Sequence, residues 1–413
     1  MRILSGRKAA RMVERLAFRA TELTALEPRV RQIIGNVRRE GDRALRGYAE
    51  RWDGLARNQR LQVAEEEMAE AWNTLPSSTR KSLRQATQNI RRFSQWQKPR
   101  SWTRTQRGMS LGQLTIPLDS VGCYVPGGRY PLVSTLLMTV IPAQVAGVKN
   151  ICVVSPKPST EVLAAAAMLG VSAFFRIGGA QAIAALAYGT RTIPRVDKIV
   201  GPGNAYVTTA KKLASFDCSI DFLAGPTEAV VLGESGDPRF IAADLVSQSE
   251  HDPDAMSVFI TTKPALAQAV ALNIEELARE NSIAKKSLQR RGAILVASSR
   301  EVARDWCNTL APEHITISRE DVPYIRNAGS IFVGDYSPQA AGDYASGPNH
   351  VLPTAGQARF RGGLSVLDFM KLITIQELSR DGLQQIAKTV ETLAQIEGLE
   401  AHANSVSIRY ADA

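Results

Sequence analysis

From residue 119 onward, short apolar runs alternate with longer stretches that repeat at helical spacing. SVGCYVPGG reads as a strand ending in a glycine turn, and LVSTLLMTVIPAQVAG reads as a buried helix. NICVVSP, AFFRIGG, DKIVGPG and SIDFLAGP read as further strands, with TEVLAAAAMLG, QAIAALAYGT and NAYVTTAKKLAS as helices between them. Short apolar strands separated by helices of this length predict a parallel sheet with crossover helices. A second series starts at EAVVLGES and DPRFIAADLVSQSEH, then runs through SVFITT, PALAQAVALNIEELAREN, GAILVAS, EVARDWCNTL, HITISRE and SIFVGD. Residues 1–95 have amphipathic helical spacing broken by polar stretches at 52–60 and 74–78, and the chain from about 366 also reads as helical. The pattern predicts an α/β protein: two tandem, incomplete Rossmann-like (doubly wound) domains with helical N-terminal and C-terminal segments.

Composition narrows the setting. A chain of 413 residues exceeds the size at which single cores stop growing, so more than one domain is expected. With 44% hydrophobic and 22% charged residues the chain is globular. It holds no apolar run approaching the ~18–20 residues of a membrane span, so no membrane partner is expected. The four cysteines, Cys123, Cys152, Cys218 and Cys307, are widely spaced and lack any CxxC pair. They read as reduced thiols in the core, which implies a cytoplasmic location. The net charge of +10 is uneven: residues 1–110 carry 24 Lys/Arg against 11 Asp/Glu, a balance of +13, which leaves −3 for the rest. A basic third could meet nucleic acid. Here, though, arginines alternate with acids at helical spacing, as in RQIIGNVRREGDRALRGYAERWDG, and no nucleic-acid motif accompanies them. A solvated helix face is the expectation, with no nucleic-acid partner.

Candidate chemistry sits in the turns. Glycine-rich turns follow the strands of the first series at 125–128, 177–181, 201–204 and 224–227. Strand carboxyl ends face the ligand crevice of a doubly wound sheet, and glycines there admit a phosphate. Even so, no GxGxxG occurs. The four histidines, His251, His314, His350 and His402, each have a carboxylate or carboxamide within a few residues. Gln248 and His251 fall at i and i+3, one face of a helix that Asp252-Pro253 should end. With Asp343 and another histidine they could supply an N/O set suited to Zn²⁺, although spacing alone leaves a structural reading equally open. Glu313 and His314, adjacent at a strand start, should point to opposite faces and could act as two acid/base groups, with His314 near its ordinary pKa of ~6.5.

The blocks VGCYVPGGRYPLVSTLLM, IGGAQAIAALAYGT, VDKIVGPGNAYV, DFLAGPTE, LVSQSEHDPD, LAPEH, AGDYASGPNHVLPT and ETLAQIEGLEAHANSV closely resemble the histidinol dehydrogenase family, in order, from about residue 30 to 410. The resemblance implies oxidation of L-histidinol, through the aldehyde, to L-histidine with two NAD⁺, the last step of histidine biosynthesis. It implies zinc ligands at Gln248, His251, Asp343 and His402 and a catalytic pair at Glu313 and His314. Substrate contacts fall at Thr227, His350 and Glu397 together with His314 and the metal-site residues, and NAD contacts at Tyr124, Gln181 and Asn204. It also implies one zinc per subunit and a homodimer in which Glu397 and His402 complete the partner's pocket. The domains then read as 1–20, an N-terminal helical segment; 21–119 plus 228–365, with the metal and catalytic residues; 120–227, binding NAD; and 366–413, for dimerisation. Two departures stand out. Thr227 replaces the commoner Ser, and the N-terminus is somewhat short. The alternative is a paralogous zinc- and NAD-dependent dehydrogenase of another small alcohol, such as a sulfonated propanediol; Glu397 and His402 argue against it.

Overall fold

In the computed structural model, which describes residues 1–18, 23–127 and 132–409, five strands of the first series form one parallel sheet. In spatial order they are Ala173–Phe175, Asn150–Val154, Ser120–Tyr124, Lys198–Val200 and Ser219–Ile220. Numbered along the chain this is the order 3-2-1-4-5, so the connection reverses between Ser120–Tyr124 and Lys198–Val200. That is the switch point at which doubly wound sheets bind ligands. The sheet ends with a strand of only two residues and lacks a sixth, so the expected incomplete Rossmann-like domain is observed. Helix Val133–Ala146 is apolar all round and buried along most of its length, as its sequence predicts.

The second series repeats the plan. Strands Gly292–Val296, Met256–Thr261, Glu228–Leu232, His314–Ile317 and Ser330–Val333 lie side by side, all parallel. An additional edge strand, Arg2–Ser5, pairs in parallel with Gly292–Val296. Sequence reading assigned this N-terminus to a helix. Four residues running straight into helix Gly6–Ala17 are too few to show a period of two.

Helix Glu27–Glu40 covers the five-stranded sheet, whereas helix Gly6–Ala17 packs on the six-stranded one. Val30, Ile33, Ile34 and Val37 of helix Glu27–Glu40 are buried in one cluster with helices Gly179–Tyr188 and Ala205–Ala214. All four cysteines are free and buried, as predicted.

The chain separates into two compact units, Met1–Gln97 with Asp119–Phe369, and Lys98–Leu118 with Met370–Ala413. Both sheets described so far belong to the first. The second contains antiparallel strands Trp102–Gln106, Met109–Pro117 and Met370–Leu378, then helices Arg380–Ile396 and Glu400–Ser407. The expected C-terminal helices are therefore present but follow a nine-residue strand, MKLITIQEL. The boundary expected at 20/21, the last glycine of the 125–128 turn and the end of the 366–413 segment fall outside the described residues. Among the described residues no helix is long and apolar enough to cross a membrane.

Candidate active site

Polar side chains gather where the carboxyl ends of the five-stranded sheet meet the amino ends of the six-stranded one. A cavity of ≈ 370 Å³ is lined by Thr227, Gln248, His251, Glu313, His314, Asp343 and His350. Glu228 and His314 are the first residues of neighbouring strands, and residues 227 and 313 precede them. The rule that ligands sit at strand carboxyl ends thus holds for one sheet and is inverted for the other.

Gln248 lies in the last turn of helix Pro238–Ser249, 2% exposed, with its Nε2 donating to Asp343 Oδ2 at 2.9 Å. The helix stops at Ser249, earlier than Asp252-Pro253 predicts, so His251 stands beyond its end. The i, i+3 reasoning is corrected to that extent, yet both side chains still face one cavity.

Asp343 is the hub. Its Oδ1 lies 3.3 Å from His314 Nε2, and its carbonyl accepts from His350 Nδ1 at 2.6 Å. Burial would raise the Asp343 carboxyl, but His314, His350 and Gln248 outweigh it and hold it below the ordinary range. Burial lowers His350; with its Nδ1–H donating, Nε2 is left as an acceptor.

Glu313 and His314 do not point apart. His314 Nδ1 is buried without a hydrogen bond, 3.8 Å from Glu313 Oε2. The regular strand begins only at His314, so the alternation assumed for both residues does not include Glu313. Glu313 Oε2 accepts from the Glu228 backbone N–H at 3.0 Å. Burial pushes the Glu313 carboxyl up to about 8, His314 opposing and Glu228 adding to the rise. Burial alone would lower His314, but Glu313 and Asp343 more than offset it, so its pKa is raised rather than ordinary.

A second cavity of ≈ 390 Å³ holds Tyr124, Gln181 and Asn204, the three residues expected to contact NAD. Gly127 and Asn204 line both cavities, which therefore adjoin. Asn204 Oδ1 caps helix Ala205–Ala214 by accepting from the N–H groups of Tyr206 and Val207, which leaves its amide NH₂ for a ligand. Its turn is held from behind. Gly201 donates to Asp221 Oδ2 at 2.7 Å and accepts from Lys211 Nζ at 3.0 Å, and Lys211 pairs with Asp221 in the interior. Gly201 is obligatory here: its φ is +113° and a Cβ would lie 2.2 Å from the Tyr124 carbonyl oxygen. Two carboxylates that the sequence pattern does not mark also bear on these cavities. Asp53 lines the second, and Glu228 buttresses the first by accepting from the Ala355 N–H at 2.7 Å.

Gln248, His251 and Asp343 supply carboxamide, imidazole and carboxylate donors to one cavity, a set that suits zinc. Among the described residues no three His, Cys, Asp or Glu side chains converge as ligands. An amide lies outside that count. Glu397 and His402 are carried by the second unit, one just after helix Arg380–Ile396 and the other within Glu400–Ser407, and both are exposed.

Comparison with known proteins identifies the family. The family described as Histidinol dehydrogenase matches residues 17–410. The chain is 45% identical over 425 residues to the histidinol dehydrogenase of Methanothermobacter thermautotrophicus, covering 98% of each chain. It is 46% identical to that of Geobacter sulfurreducens, covering 93% of each. The crystal structure of histidinol dehydrogenase from Elizabethkingia anophelis superposes with a TM-score of 0.94 at 34% identity, over 99% of this chain and 98% of that one.

Proposed function

This chain belongs to the histidinol dehydrogenase family, an oxidoreductase of histidine biosynthesis, and we propose that its adjoining cavities oxidise L-histidinol to L-histidine with the residues assembled above. The family as a whole implies NAD and zinc. The observation that carries the assignment is the join at Gly127 and Asn204, which sets a buried acid/base pair beside a cofactor-sized cleft.

Gln248, His251 and Asp343 would hold zinc, with His402 as the fourth ligand. A zinc ion held there would supply a Lewis acid that could bind and orient the substrate. Everything else falls to side chains. His350 Nε2 accepts from a polar hydrogen of the substrate, and Thr227 supplies its hydroxyl. His314 removes the alcohol proton as hydride leaves the carbinol carbon for NAD, giving the aldehyde. Glu313, in its carboxylate form, takes a proton from the water that adds to the aldehyde. His314, once it has released that first proton to solvent, accepts a proton of the hydrate as the second hydride departs to a second NAD. Tyr124, Gln181 and Asn204 position the nicotinamide nucleotide. Glu397 and His402 come from a second copy of the chain, which makes the active unit a homodimer.

The test is the yield of NADH per L-histidinol consumed. Two equivalents are expected, and one would reduce the reaction to a simple alcohol oxidation. In single-turnover traces Glu313→Gln should release one fast equivalent followed by a slow one. Equal slowing of both would refute the division of labour between Glu313 and His314.

A further inference from the structure

We propose that Asp53 makes this chain select NAD over NADP, by fixing a carboxylate beside the adenosine ribose and against the helix terminus where a nucleotide phosphate would otherwise bind. The inference rests on the reading that the second cavity holds the cofactor.

Asp53 closes the short π-helical turn Ala49–Asp53, and Gly54 follows in a left-handed conformation. The side chain is turned inward, 9% exposed. Its Oδ2 accepts from the Gly178 N–H at 3.0 Å and from Gln181 Nε2 at 3.3 Å. The next amide, Gly179 N–H, donates to Tyr124 Oη at 3.1 Å. The N-terminus of helix Gly179–Tyr188 is therefore capped by the protein's own oxygens. In doubly wound domains such a terminus commonly receives the cofactor's phosphates. Here it carries a built-in anion, and a phosphate approaching it meets repulsion in a partly desolvated cleft.

The join with the catalytic cavity sets the direction of the cofactor. Nicotinamide must reach Gly127 and Asn204, which the two cavities share. The adenosine end then falls to walls that only the second cavity has, among them Arg29, Ile33, Trp52 and Asp53. Trp52 stacks on Tyr48 with centroids 4.7 Å apart, which holds its ring as a flat apolar surface suited to a base. A ribose 2′-hydroxyl can donate to the Asp53 carboxylate. A 2′-phosphate cannot donate once ionised, and it adds about −1.5 to −2 of charge, if it resembles a phosphomonoester on a side chain. Arg29 and Lys157, which also line this cavity, offset part of that repulsion. Arg29 donates to Tyr206 Oη at 3.0 Å and lies over that ring. Burial raises the Asp53 carboxyl above the ordinary range, and the Gly178 N–H, Gln181 and the charge of Lys157 oppose that rise.

Asp53→Asn tests this with little change of shape, because the amide oxygen can still accept from Gly178 and Gln181. The readout is kcat/KM for NAD divided by kcat/KM for NADP, with L-histidinol saturating. The ratio should fall at least ~10-fold, with NADP improving in absolute terms, as expected when a repulsive element that sets specificity is removed. Asp53→Ser, smaller and also neutral, should shift the ratio in the same direction and serves if the Asn variant does not fold. If both cofactors weaken equally, Asp53 is only a helix cap and the proposal is overturned. A fall that comes only from lost NAD activity overturns it too. Gln181→Ala separates this from failure of the underlying reading. If that variant leaves KM for NAD unchanged, the cavity is not the cofactor site. If it raises KM while the Asp53 variants keep the wild-type ratio, only the role of Asp53 is wrong.

Discussion

Glu313 has a chemical assignment that its burial makes measurable. Its carboxyl is pushed up to about 8, chiefly by burial, so it ionises at higher pH than an ordinary glutamate. A base that works as the carboxylate gains activity as pH rises. The rate of the aldehyde half-reaction should therefore climb through about pH 8, and Glu313→Gln should remove that rise. Glu228→Gln takes away one of the negative charges that raise Glu313, so it should move the midpoint downward. An unchanged midpoint in both variants would assign the titration to another group. The residues legible in the sequence share one trait: a polar side chain standing where an apolar element ends. Gln248 after FIAADLVS and Glu313-His314 before ITI are of this kind. Asp53 lacks that contrast. RWDG looks like any helix end, and only the packing of the N-terminal helices brings residue 53 to residue 178. Glu228 does stand at such a boundary, as the first residue of EAVVL, but its bond to the Ala355 N–H is made only by the fold.

At the scale of elements, the Gly201 turn gives the sharpest expectation. Lys211 and Asp221 are both essentially buried, and together they satisfy both polar atoms of the Gly201 backbone. Lys211→Met leaves a buried carboxylate unpaired, which should cost ~3–5 kcal/mol in urea unfolding. Replacing both partners by apolar residues normally restores much of such a loss. Here Lys211→Met combined with Asp221→Leu would still strand the Gly201 N–H and C=O. That double variant should therefore keep a raised KM for NAD even where stability recovers. A wild-type KM would show that the pair does not position Asn204. Elements that bury an apolar face, such as VSTLLMTVIPA and AVVL, were readable from pattern alone. The strand Met370–Leu378 was not, because eight of its nine residues are exposed and alternation carries no burial signal. Its pairing with Met109–Pro117, more than 250 residues earlier, is fixed only by the fold.

For the whole molecule, the second unit poses the remaining question of what its apolar surface meets. Leu372 is 50% exposed and Ile373 43%, and as consecutive strand residues they face opposite sides of the sheet. Ile396, near Glu397, is 76% exposed. Apolar surface on several sides of a small unit marks an interaction site, and the proposed homodimer provides a partner that also uses Glu397 and His402. His402→Ala and Glu313→Gln should each be nearly inactive alone, because one removes a proposed zinc ligand and the other the proposed water-activating base. If each pocket takes His402 from the opposite chain, a mixed dimer collects both lesions in one pocket and neither in the other. Unfolding the two variants together in equal amounts and refolding them should give half heterodimers. Each of these has one intact pocket of two, so about a quarter of wild-type activity should return, by counting symmetric pairs. If His402 serves its own chain, every pocket stays damaged and nothing returns. Heterodimers confirmed by mass but without recovered activity would sink the cross-subunit assignment and leave His402 as a ligand within its own chain.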